Sequence, residues 1–126
     1  MRKFIFTLLI GLTSLIAYGQ DPVVLKIANV EVAPGTTTAT VDVTIDGFVN
    51  LQSAAFSLNY DSLVLRYGSI TNFNTALGLS ISNFGTPGIG SIKPGRIRFL
   101  WDTPMANGQT VPNGTRLFSI VFDILG

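Results

Sequence analysis

Residues 38–47, TATVDVTIDG, alternate without a fault, with Ala39, Val41, Val43 and Ile45 on one side and Thr40, Asp42, Thr44 and Asp46 on the other. A strand turns successive side chains to opposite faces, so this period of two describes a strand with one dry face and one wet face. That pattern belongs to an antiparallel sheet solvated on one side. The signature returns along the chain. LQSAAFSLNY (51–60) sets Ala54, Phe56, Leu58 and Tyr60 inward against Ser53, Ala55, Ser57 and Asn59. RIRFLWD (96–102) sets Ile97, Phe99 and Trp101 against Arg96, Arg98 and Leu100. VVLKIANVEV (23–32) slips phase at Ala28 and Asn29, which predicts a bulge there. Beyond Tyr60 and Asp61 the alternation resumes through Leu63, Leu65 and Tyr67, and ALGLSISNF aligns Leu77, Leu79 and Ile81. GTPGIGSIKPG (85–95) is too rich in Gly and Pro for regular structure. RLFSIVFDIL (116–125) is apolar on both faces over most of its length, as a strand central to a two-sheet core would be. No stretch after Asp21 carries a helical apolar period. So many short strands must cover their apolar faces with one another, which predicts an all-β, antiparallel β-sandwich.

The chain is of single-domain length, and its start reads differently from the rest. Arg2 and Lys3 precede the apolar run FIFTLLIGLTSLIA, and the small residues Ala17 and Gly19 follow just before Gln20. This order predicts a cleavable secretory leader, a signal helix over residues 1–19, and a domain over 22–126. Gly11, Thr13 and Ser14 interrupt the run, which argues against a permanent membrane anchor, since spanning a bilayer takes about 20 apolar residues. Without Arg2 and Lys3, six basic face seven acidic side chains. No basic field remains to hold nucleic acid or an anionic membrane.

The chain has no cysteine and no histidine. Disulfides, thiolate metal sites and cysteine nucleophiles are thereby excluded, and so is the commonest general base and zinc ligand. A glycosidase needs two carboxylates facing each other across a cleft. Asp42 and Asp46 share a strand face beside Thr40 and Thr44, where a solvated surface is the simpler reading. No Asp-rich loop has calcium-ligand spacing. The expectation is a protein without catalytic residues, metal or cofactor.

Tyr60 and Asp61 mark a corner between two strands. An aspartate there can cap a tight turn by accepting backbone N–H bonds, while an inward tyrosine buries its ring and keeps its hydroxyl at the rim. NLQSAAFSLNYDSLVLRY (50–67), with its alternating strand, Tyr-Asp, short spacer and second strand, resembles the cohesin domain pattern. VDVTIDGFVNL, RIRFLW and NGTRLFSIVFDI are similar to other segments of that family, in the same order, so the resemblance spans most of residues 24–125.

The resemblance implies a jelly-roll sandwich that binds and does not catalyse. Its partner would be a dockerin-like protein module in an extracellular or cell-surface, polysaccharide-degrading assembly of a bacterium. The family's contact positions fall on Ser53 and Ala55, within the flat, uncharged outward stripe Ser53, Ala55, Ser57 and Asn59 that the alternation gives. Where well-known members carry Asn and Asp, this chain has Ser53 and Ala55. The family also implies a last strand, pairing with the first, beyond FDILG; either the chain is a fragment or an edge near Leu25 and Ile27 stands open, an aggregation hazard. Arg96 and Arg98 are expected on a strand beside the stripe, and a flat neutral centre flanked by arginines makes a usable docking face. The alternatives are direct binding of polysaccharide through exposed aromatics such as Tyr67, Phe73 or Phe84, and a purely structural envelope domain. Trp101 falls by alternation with the core.

Overall fold

The computed structural model describes residues 4–6, 23–85 and 92–125. Its strands are β1 (Phe4–Phe6), β2 (Val24–Ile27), β3 (Val30–Val32), β4 (Thr38–Asp46), β5 (Ser53–Asn59), β6 (Leu65–Thr71), β7 (Ile92–Lys93), β8 (Arg96–Asp102) and β9 (Thr115–Ile124). A single turn of 3-10 helix, Ile81–Phe84, lies between β6 and β7. Two antiparallel layers face each other, one ordered β2-β4-β9-β6 and the other β5-β8-β7, and β1 pairs with β3 in a small ribbon. From β4 onward every connection crosses between the layers except the β7–β8 hairpin. The expected leader lies outside the described residues apart from Phe4–Phe6, which runs antiparallel to Val30–Val32.

The alternating runs behave as the period of two requires. On β4, Ala39, Val41, Val43 and Ile45 are buried. β9 lies between β4 and β6, and it buries Leu117, Phe118, Ser119, Ile120 and Phe122 in succession. A buried serine needs partners. Ser119 donates to Asp42 Oδ1 at 2.6 Å and accepts from Asn72 Nδ2 at 3.2 Å.

Aromatic rings fill the space between layers. Phe56 and Phe99, opposite each other on β5 and β8, stack at 4.6 Å. Phe84 meets Phe99 of one layer at 5.3 Å and Phe118 of the other at 5.0 Å, edge-on to both. Such pairs contribute roughly 0.5–1.5 kcal/mol each beyond their area burial.

Four local expectations change. The slip at Ala28 and Asn29 is a break between β2 and β3, which serve different partners, and not a bulge within one strand. Leu63 belongs to the corner turn and is 86% exposed, because strand pairing resumes only at Leu65. Ile81 starts the 3-10 turn, capped by Ser80 and Asn83, while Leu77 and Leu79 are buried without forming a strand. Inside the Gly- and Pro-rich stretch, Ile92–Lys93 pairs with β8 through a turn at Pro94 and Gly95.

One irregularity has a steric origin. The β6–β9 register shifts between Tyr67 and Ser69, at Gly68. A Cβ on Gly68 would sit 2.7 Å from the Val121 carbonyl oxygen, so the backbone approaches as closely as it does only because that atom is missing.

Candidate functional site

The β5–β8 register decides which outward side chains meet. Ser53 lies opposite Asp102, Ala55 opposite Leu100, Ser57 opposite Arg98, and Asn59 opposite Arg96. β7 continues the last row with Lys93 beside Arg96. The outer face of the three-stranded layer thus carries three cations at one end, an apolar middle at Ala55 and Leu100, and Asp102 at the other end. Leu100 is 64% exposed, the only large apolar side chain of the β5–β8 pair turned to solvent. Among the described residues the ion pairs are Lys26–Asp46, Arg66–Asp123 and Arg116–Asp42, all on the opposite layer. Lys93, Arg96 and Arg98 have no acidic partner in this set, so their charge is available to another molecule.

The structure therefore brings Ser53, Ala55, Ser57, Asn59, Arg96 and Arg98 onto one surface. Sequence reasoning missed Lys93, which sits in the stretch read as irregular, and gave no role to Asp102. The Pro94-Gly95 dipeptide between Lys93 and Arg96 is the turn signal that marks the hairpin.

The corner lies at the edge of this face. Asp61 Oδ1 accepts the Leu63 N–H at 2.9 Å, and the Asp61 carbonyl accepts from Val64 and Leu65. Tyr60 is buried with its ring 4.9 Å from Phe122, and its hydroxyl donates a long bond, 3.4 Å, to the Lys93 carbonyl. Both side chains hold backbone together. A cleft of about 380 Å³ opens beside them, lined in part by Leu65, Tyr67, Pro94 and Leu125. Tyr67 is half-buried there; burial, and secondarily Tyr60, raises its phenol above the ordinary value.

The aromatics that would make a sugar platform are turned inward. Trp101 is 3% exposed and Phe84 is buried, while Tyr67 and Phe73 are only partly accessible. No coplanar row of exposed rings exists among the described residues. Among them there is also no cluster of acidic residues that could hold a metal ion, and no helix long and apolar enough to cross a membrane.

Against the known protein families, residues 23–126 match the model of the cohesin domain. Neither a curated protein nor a solved structure matches the chain.

Proposed function

The chain belongs to the cohesin domain family, and from that premise we propose that it is an exported, non-catalytic module that captures a dockerin-like protein through the outer face of β5, β8 and β7. Its setting is an extracellular or cell-surface assembly concerned with polysaccharide. Membership of the family makes it a protein-binding module of the cohesin type.

The observation that carries the reading is the β5–β8 register. It sets the neutral stripe Ser53–Asn59 directly beside Arg96 and Arg98. A partner needs a centre from which water can be excluded and a rim that orients it. Ala55 and Leu100 supply the first, and Lys93, Arg96 and Arg98, which have no acidic partner among the described residues, supply the second. Their clustering at one end favours a partner with acidic groups placed to meet them, and such steering speeds association and weakens in salt. The small Ser53 and Ala55 offer shape where well-known relatives offer hydrogen bonds, so the partner differs in detail from the ordinary dockerin. Inward-turned aromatics give direct polysaccharide binding no comparable support.

The test is capture of extracellular proteins on the immobilised chain and on its Arg96→Glu/Arg98→Glu variant. Recovery of a dockerin-like protein by the first and its loss from the second supports the proposal. Retention of the chain on insoluble polysaccharide with no protein partner overturns it.

A further inference from the structure

The two layers handle charge differently. On the four-stranded layer Lys26, Arg66 and Arg116 each meet an aspartate, so that face is neutralised within itself. On the three-stranded layer Lys93, Arg96 and Arg98 meet none among the described residues, and Asp102 meets no cation among them either. All four side chains are exposed.

Their spacing keeps the two signs apart. Arg96 and Asp102 are the first and last residues of β8, about 20 Å apart at the rise of an antiparallel strand, and Arg98 is about 13 Å from Asp102. Both separations exceed the Debye length of about 8 Å at physiological salt. The ends therefore do not neutralise one another, and each is open to a charge brought from outside. Between them Ala55 and Leu100 lie opposite each other.

We infer that this face docks its partner in one direction only, with Asp102 as a second electrostatic anchor. An acidic group of the dockerin-like module meets Lys93, Arg96 and Arg98, an apolar side chain meets Leu100, and a cationic group meets Asp102. The inference rests on the protein-binding reading above and adds a direction to it. Turned end for end, the same module would set its acid on Asp102 and its cation among three others. Opposite charges fix the register of a complex, and juxtaposed like charges suppress the wrong one. Nothing else on the face selects a direction, because Ser53, Ala55, Ser57 and Asn59 are uncharged from one end of β5 to the other. The argument's groups are outward side chains of β8 and β7, and neither edge of the layer enters.

The probe is the dockerin-like protein captured by the immobilised chain, and the decisive variant is Asp102→Lys. That change makes the face more cationic, so a partner held by Lys93, Arg96 and Arg98 alone binds it as well as the parent, or better. One-way docking predicts the opposite, a dissociation constant raised about tenfold or more at low salt, with Asp102→Asn falling between. Thermal unfolding checks the fold of each variant. Direction is read separately. The chain has no cysteine, so Ser62→Cys and Met105→Cys each accept a single thiol-linked photo-cross-linker. A Cβ on Gly95 would lie 3.8 Å from Ser62 Cβ, which places Ser62 at the cationic end, and the exposed Met105 follows β8 just beyond Asp102. Cross-links from position 62 are expected on an acidic segment of the captured protein, and those from position 105 on a different, basic one. The same segments reached from both positions, or undiminished affinity of Asp102→Lys, overturn the inference and leave capture itself intact. Failure to capture any dockerin-like protein overturns the protein-binding reading, and the inference with it.

Discussion

Trp101 donates its indole Nε1–H to the carbonyl of Leu77 at 2.9 Å inside the sandwich. The ring also packs against Phe48, centroid to centroid at 5.2 Å. The only tryptophan is thus committed to tying the segment before the 3-10 turn to β8. Trp101→Phe keeps most of the packing but strips a buried carbonyl of its donor, which costs about 1–3 kcal/mol. Urea unfolding measures that loss. In the parent, Trp101 fluorescence stays unchanged on adding soluble oligosaccharides; a saturable shift would mean that sugar reaches it.

Phe84 spans both layers from a four-residue turn, so much of the core depends on it. Phe84→Ala is expected to cost about 3–5 kcal/mol, by lost transfer energy and the cavity left between Phe99 and Phe118. Leu63→Ser, at a solvated turn, changes stability by no more than about 0.5 kcal/mol. Denaturant melts of the two variants side by side separate a buried ring from an exposed leucine that the alternation alone cannot tell apart.

Gly68→Ala places a methyl where the Val121 carbonyl oxygen already sits. The strands must part at the bulge, and overpacking of this kind costs about 1–3 kcal/mol. The loss reads out as a lower unfolding midpoint, with faster amide exchange along the β6–β9 ladder.

Asp46 contributes a pH dependence on the acid side. Its bond from the Lys26 ammonium at 2.6 Å, and then the Gly114 N–H at 2.8 Å, hold the carboxyl below the ordinary carboxylate value. A group depressed in the folded state contributes stability above its unfolded pKa and loses it as pH falls through the folded one. Stability therefore declines on acidification below the ordinary carboxylate range. Asp46→Asn flattens that acid limb, and the gap between parent and variant closes at low pH. Melts across the acid range check both. The site is exposed, so added salt shrinks the difference.

The local pattern was legible because strand geometry is local. Val41, Val43 and Ile45 face inward, and Arg96, Arg98 and Leu100 face outward, for no reason beyond the alternation of a pleated chain. The same holds for Trp101 against Arg98, and for β9, whose apolar residues on both faces marked it as central. Leu63 misled because a period of two continues through a turn without changing residue type. Ile81 misled for the same reason.

What remained hidden depends on segments far apart in the chain. Whether Ser57 faces Arg98 is settled by a register between strands some forty residues apart, and backbone hydrogen bonds are nearly indifferent to the residues that make them. Lys93 joins the cationic end only because a two-residue strand happens to pair. Phe84 reaches both layers only because the 3-10 turn folds across them. Periodicity names the face of each strand; the neighbours of that strand are a property of the assembled sheet.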